Sequence, residues 1–502
     1  MNQIMKKYRL LIVAFGALLI TGCSDFLNES DPSNFTEGTY FTRPEHARAS
    51  VNAIYAPLRE ITASGFGGGP WVMTEFATGQ AGTDLGQAAS SYFVKDLVNT
   101  AENSYGTSYW QQYYKGIGNA NLSIAKIPGI QMDAAESRKL LGEAYFLRAW
   151  YYFTLVQLFG NIPLITEPVK LDSDQLRPSQ AKPEDVYALI VDDLKKAEEA
   201  GLPWTDVSGK VSLGAVKSLL AKVYLTMAGY PLQKGAAYYD LAAKKAEEVV
   251  DSQQFKLFSS YYDLHDPAKK NIEENIFMVQ FKTQIIPGNW QELIIPYNKG
   301  ISAYSAETGG IYATNEFVKS YDAADLRAQE GQFFFTKFTH EADRKKEVDL
   351  GGYFVYKLFD VAAQTSTANS DLNWSLIRYA DILLVFAEAS NEVAGPTAKA
   401  YSAVNAIRKR AKLPDLTGLS KDQLREAIWK ERWHELCFEN ITWFDMARLR
   451  KAFDLTTKRF NEFVGHKFTY GNNLVLKERE LLFPIPAYEL KNNSNLERTP
   501  GY

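Results

Sequence analysis

Residues 136–160 read "ESRKLLGEAYFLRAWYYFTLVQLFG". Leu140, Ala144, Arg148, Tyr151 or Tyr152, Leu155 and Phe159 fall at spacings of three and four, so one helical stripe is apolar over several turns. Gly160 and Pro163 supply a stop. The same texture continues on its C-terminal side. "KPEDVYALIVDDLKKAEEA" opens with Pro183, Glu184 and Asp185, suited to a first helical turn, and carries Val186, Leu189, Ile190, Leu194 and Ala197 on one side. "SLGAVKSLLAKVYLTMAG" (Ser212 to Gly229) and "YYDLAAKKAEEVVDS" (Tyr238 to Ser252) follow as helix, short turn and antiparallel helix.

Near the C-terminus "RYADILLVFAEASNEV", "TAKAYSAVNAIRKRA" and "KDQLREAIWKERWHELCFE" repeat the style, with small alanines at Ala387, Ala389, Ala403 and Ala406 that let helices approach closely. These segments look like tetratricopeptide-type hairpins, although the thirty-four-residue period is not strictly kept. The fold class expected is mainly α: a tetratricopeptide-like helical-repeat scaffold with long irregular loop regions and minor β. The helical repeats cover about 105–252 and 375–440 within a single domain spanning 41–502.

Between the helical blocks, about 255–373, the sequence carries Pro267, Pro287, Pro296, several glycines and scattered aromatics with no sustained 3.6-residue period. So long an irregular region in a compact domain signals function. A second such stretch, 62–92, includes "SGFGGGPWVMTEF". Rigid helices carrying two elaborate loop regions make a binding-site layout.

The N-terminus sets the compartment. Lys6, Lys7 and Arg9 precede eleven uncharged residues from Leu10 to Ile20, the layout of a secretory signal over 1–22. That run is short of the roughly 20 apolar residues a permanent span needs. The junction Ile20-Thr21-Gly22-Cys23 resembles a bacterial lipobox, in which the cysteine is lipidated and becomes the first mature residue. More than one acyl chain anchors firmly at about 0.8 kcal/mol per buried methylene. Residues 23–40 then read as a polar tether. With Cys23 acylated, Cys437 has no cysteine left to pair with and reads as a small core residue. A net charge of −4 and no basic block outside the signal argue against nucleic-acid binding.

Five motifs resemble the SusD/RagB family of Bacteroidetes outer-membrane lipoproteins, in that family's order and over almost the whole mature chain. They are "RAWYYFTLVQLFGNIPLI" (Arg148 to Ile165), "NWSLIRYADILLVFAEA" (Asn373 to Ala389), "AVNAIRKRA" (Ala403 to Ala411), "ERWHELCFENITWFDMAR" (Glu431 to Arg448) and the tail "LLFPIPAYELKNNSNLERTPGY". The tail departs slightly, with Arg498-Thr499 where family members often have Gln-Asn before Pro-Gly-Tyr. The resemblance implies a surface-exposed, non-enzymatic glycan-binding lipoprotein of the outer membrane. Such a protein is held in lipid through the acylated Cys23 and passes oligo- or polysaccharide to a SusC-like TonB-dependent transporter. Family ligand sites lie in variable loops, so no binding residue carries over from the motifs.

The site therefore rests on chemistry. A sugar ring has an apolar face and a hydroxylated rim, which calls for exposed flat aromatics ringed by polar groups. Trp71 follows a glycine run expected to expose it. Trp290 is flanked by Asn289 and Gln291, whose amides donate and accept at once, with Tyr297, Tyr304 and Tyr312 downstream. Glu75 and Asp84 are the acidic candidates near Trp71. Trp374 belongs to a scaffold motif. Metal chemistry finds little support: the histidines at 46, 265, 340, 434 and 466 form no ligand pair, and "HELCF" lacks the second histidine of a zinc protease. "LDSDQ" (Leu171 to Gln175) resembles only the start of a calcium loop, so no cofactor is expected and calcium stays unsupported. The alternatives are a tetratricopeptide-type scaffold binding a protein or peptide, and a glycoside hydrolase, which needs only two carboxylates.

Overall fold

A computed structural model describes residues 40–62, 68–84, 88–170, 176–302, 307–340, 343, 345–364, 369–470 and 474–502. The signal segment 1–22, Cys23 of the lipobox-like junction, the tether as far as residue 39 and Tyr304 lie outside the described residues. The longer helices are α1 (Pro44–Thr62), α2 (Ser104–Lys126), α3 (Ala134–Phe159), α4 (Pro183–Glu198), α5 (Leu213–Ala228), α6 (Ala236–Asp251), α7 (Tyr379–Ala394), α8 (Ala398–Arg410), α9 (Lys421–Glu435) and α10 (Thr442–Leu449). Several helix starts are capped by side chains. Asn103, Asp133, Ser212 and Thr397 each accept a backbone N–H of the first turn, and Ser420 with Gln423 closes a full capping box. Helix α3 ends at Gly160, which adopts φ +74°.

Each helix from α1 to α7 packs on the next, α1 on α2, α2 on α3, and so on to α6 on α7, and α7 also holds α8 and α9. The α6–α7 contact matters most for the architecture, because those two helices are separated in sequence by the whole irregular region. Ala242 and Ala246 of α6 and Ala380 and Ala387 of α7 are fully buried, small side chains that permit close approach. The helical array is thus continuous in space, and the intervening region is extruded from one of its joints. The stripe on α3 carries Arg148 because its guanidinium forks onto Asp193 of α4 at 2.8 and 2.7 Å and reaches Asn121 of α2 at 2.8 Å. One buried arginine therefore ties three successive helices.

The region between α6 and α7 is more ordered than its sequence suggests. Strand β1 (Ala81–Gly82), β3 (Tyr312–Ala313), β5 (Glu347–Val355) and β4 (Phe334–Thr339) form an antiparallel sheet in that order. Strand β2 (Asn275–Val279) pairs with β6 (Trp374–Arg378). The aromatic and β-branched run "FFTKFT" of β4 is a strand signal that helical periodicity passes over.

A buried ionic network docks this region onto the scaffold. Arg378 at the end of β6 meets Glu274, Glu435 and Glu439 at 2.6, 2.9 and 2.7 Å. Arg410 of α8 reaches Glu274 at 2.5 Å and Glu435 at 2.7 Å. Arg327 holds Asp325, Glu431 and Glu435 at 2.7, 2.6 and 3.2 Å, and Lys357 pairs with Glu439. Burial alone would raise the Glu435 pKa, but Arg410, Arg378, Arg327 and Lys357 overcome it and bring it down to about 2. Glu431, His434, Glu435 and Glu439 of the "ERWHELCFE" motif are thereby structural. His434 is itself buried, with Nε2 2.9 Å from Ser320 Oγ and its ring against Tyr321. Cys437 is fully buried beside Tyr321, and burial pushes its thiol up to about 11.

Replacing Glu435 with Gln leaves three buried guanidinium groups undercompensated and is expected to cost about 3–5 kcal/mol in denaturant unfolding at pH 7. Because the folded carboxyl titrates below its ordinary value of 4.5, its contribution is present above pH 4.5 and is lost as pH falls toward 2. The gap between wild type and Glu435→Gln should accordingly narrow across that interval, and a pH-independent gap would contradict this account.

Candidate functional site

Gly68 adopts φ +99°, and a Cβ there would lie 1.9 Å from the Tyr105 hydroxyl, so this glycine permits close packing against α2. Trp71 N then donates to Ile61 O of α1 at 3.1 Å, and its indole is fully buried. Trp290, in a short 3-10 turn (Asn289–Ile294), is fully buried too. Both indoles pack on Trp374 of β6, with ring centroids at 4.8 Å for Trp71 and 5.2 Å for Trp290. The expectation that these two tryptophans offer a face to ligand is corrected: they anchor the two loop regions to one scaffold residue, because an indole contributes most when its whole area leaves water.

Two polar candidates follow them inside. Gln291 is fully buried, its Nε2 donating to Leu358 O at 2.8 Å and its Oε1 accepting from Asp360 N at 3.0 Å. Glu75, on the short helix Val72–Phe76, is buried and accepts from Asn440 N at 2.6 Å, while the Asn440 amide holds Trp71 O and Thr74 Oγ1. Neither side chain faces solvent, so the expectation that they rim a sugar is corrected as well. Asn289 is half-buried at the start of the Trp290 turn.

The remaining candidates converge on the surface. Segments 81–84, 293–297 and 309–313 run side by side, linked by Asp84 N to Gly309 O at 2.8 Å, Gly309 N to Ile295 O at 2.8 Å and Ile311 N to Leu293 O at 2.9 Å. Gly309 adopts φ +56° and is closely flanked by the Cβ atoms of Tyr297 and Asp84, a site no larger residue would fit without displacement. Tyr297 is 56% exposed and Asp84 is exposed beside it. Tyr312 is half-buried, its ring 5.8 Å from Phe354. Burial is the main cause that raises the Tyr312 pKa, with smaller upward contributions from the negative fields of Asp84, Tyr92 and Glu316. Desolvation raises the Asp84 pKa while Lys299 opposes it.

The loop that carries Tyr297 is braced from within. The Glu307 carboxylate accepts the backbone N–H groups of Lys299, Gly300, Ile301 and Ser302 at 2.6, 2.8, 2.5 and 2.9 Å, and Thr308 Oγ1 donates to Glu292 O at 2.6 Å. The result is a surface with an aromatic ring, a half-buried phenol, a carboxylate and an ammonium on a fixed backbone. Tyr92 and Lys299 are members that sequence reasoning missed. No local pattern signals either: Tyr92 sits half-buried in a short helix (Ala89–Lys95) indistinguishable in sequence from its surroundings, and Lys299 is an isolated loop lysine.

Packed helix pairs, an inserted region pinned by buried charges, and a polar-aromatic surface on its loops define a helical-repeat protein with a large insert. Comparison with known proteins places it more narrowly. The family described as "SusD family" matches residues 327–502, and that described as "Starch-binding associating with outer membrane" matches residues 25–225. A crystal structure of a SusD superfamily protein from Parabacteroides distasonis is 37% identical, with 93% of this chain and 100% of that chain covered at a TM-score of 0.88. SusD-like protein P2 of Formosa agariphila is 29% identical over 99% of this chain and 100% of its own length. A structure described as a laminarin-binding SusD-like protein is 26% identical, with 92% and 100% coverage and a TM-score of 0.73. The chain belongs to the SusD/RagB family.

Glu75 offers a test of the inward packing. Burial raises its pKa from 4.5 to about 7, against the Asn440 N–H and Lys357. Since the folded protein retains a proton that the unfolded chain has released, stability falls as pH rises from 4.5 to about 7 and then levels. Glu75→Gln, which mimics the protonated carboxyl, is expected to raise Tm at pH 8 and leave it unchanged at pH 4.5; an equal change at both pH values would place Glu75 in water.

Proposed function

We propose that this protein captures an oligo- or polysaccharide at the cell surface on the platform formed by Asp84, Tyr92, Tyr297, Lys299 and Tyr312. It then hands the glycan to a TonB-dependent outer-membrane transporter. The observation that carries this reading is the Tyr297 ring, more than half exposed on a braced loop beside an exposed carboxylate. An aromatic face covers the C–H side of a sugar ring while Asp84 and Lys299 accept from and donate to its hydroxyls. Laminarin binding by a relative that shares the fold over 92% of this chain supports a carbohydrate ligand.

The lipobox-like junction at Cys23 and the match to a family described as associating with the outer membrane support a lipid-anchored location, from which the protein would feed a barrel in the same membrane. Binding without catalysis fits the acidic "ERWHELCFE" motif, whose carboxylates are occupied by arginine and lysine.

Electrophoresis through native gels containing laminarin and a panel of other polysaccharides tests the reading. At least one polysaccharide should retard the protein, and Tyr297→Ala should reduce that retardation about tenfold in apparent affinity with unchanged Tm. Trp290→Ala should instead lose about 3–5 kcal/mol of stability. Retardation by no polysaccharide, or release of reducing sugar from the one bound, would sink it.

A further inference from the structure

A second concavity lies where the ends of α3, α4, α5 and α10 meet the C-terminal tail. It encloses about 570 Å³, within the range of roughly 300–1,000 Å³ typical of small-molecule sites. It shares no lining residue with the loop platform. Phe159, Leu482 and Pro231 give it apolar walls, and Tyr187 contributes a buried hydroxyl that has no hydrogen-bond partner among the described residues. Tyr230 stands at the mouth with 37% of its surface exposed and the Arg450 guanidinium 5.0 Å from its ring.

The charge of this cleft runs against that of the chain. Arg448, Arg450, Arg479 and Arg498 line it against Glu478 and Glu497, in a protein of net charge −4. Two of the arginines are already engaged: Arg448 forks onto Glu388 at 2.6 and 2.7 Å, and Arg479 holds Glu480 at 2.6 Å. Arg450, besides lying over Tyr230, has a long ion pair with the exposed Glu478 at 3.4 Å, and Arg498 is exposed. The backbone on both sides of Arg498 is fixed, with Glu497 N donating to Gln180 Oε1 at 2.8 Å and Thr499 Oγ1 accepting from Ile485 N at 3.1 Å. Arg498 is thus held on the rim by a tail fixed on either side of it.

We propose that this cleft is a second carbohydrate site that takes an acidic sugar residue. The carboxylate of a uronic acid would lie between Arg498 and Arg450, and its ring would rest on Tyr230 and the apolar wall. Guanidinium groups match carboxylates in a planar, charge-assisted geometry, and a partly desolvated cleft strengthens that pairing.

Calorimetric titration of the folded protein with trigalacturonate, galactotriose and sodium sulfate tests this. Trigalacturonate should bind, galactotriose and sulfate should bind at least tenfold more weakly, and added salt should weaken the trigalacturonate complex. Arg498→Gln, an exposed change that leaves the fold intact, should weaken trigalacturonate about tenfold, as should Tyr230→Ala. Tyr297→Ala should leave it unchanged, so failure here is distinguishable from failure of the loop platform. Absence of trigalacturonate binding, equal affinity for sulfate, or loss of binding in Tyr297→Ala but not Arg498→Gln would each overturn the proposal.

Discussion

Glu435 at the end of α9 is the point on which the rest of the structure depends. Three arginines from three separate segments, Arg327, Arg378 and Arg410, converge on this one buried carboxylate. Buried ion pairs add little net stability once desolvation is counted, but breaking one strands its partners at a cost of several kcal/mol. The network therefore acts as a register device. It fixes how the region extruded between α6 and α7 seats on the helices, and with it the position of every loop that region carries.

Aromatic packing does the same at the other end of the strand that carries Arg378. Trp374, at the start of β6, receives Trp71 from the first loop region and Trp290 from the second. Segments more than two hundred residues apart are thereby joined through one scaffold side chain. Short backbone ladders between 81–84, 293–297 and 309–313 complete the union. Rigid attachment has a consequence for recognition, since a platform held in place before ligand arrives loses little conformational entropy on binding.

The proposed division between a loop platform and a cleft at the helix ends follows from the same construction. Loops braced from beneath present a phenol ring, a carboxylate and an ammonium outward, suited to neutral hydroxylated surfaces. Helix ends meeting a pinned C-terminal tail leave a concavity with arginines on its rim, suited to an anion. The two surfaces are built from different elements, so a change of residues at one leaves the other intact.

By itself the sequence determined the helical repeats, the first turn at Pro183, the stop at Gly160 and family membership, because 3.6-residue periodicity and helix-end chemistry are local and the family motifs encode contacts within and between neighbouring helices. It also marked the two loop regions, and it brought Asp84, Tyr297 and Tyr312 forward as candidates. Which aromatics face water was decided only by the tertiary structure. A tryptophan beside Asn and Gln in a glycine-rich loop reads the same whether it points out or in. Trp71 and Trp290 point in because Trp374 waits for them in the core, and Glu75 and Gln291 follow because Asn440, Leu358 and Asp360 are there to pair with them. Side-chain direction in an irregular segment is set by what lies across the fold, and no local pattern records that.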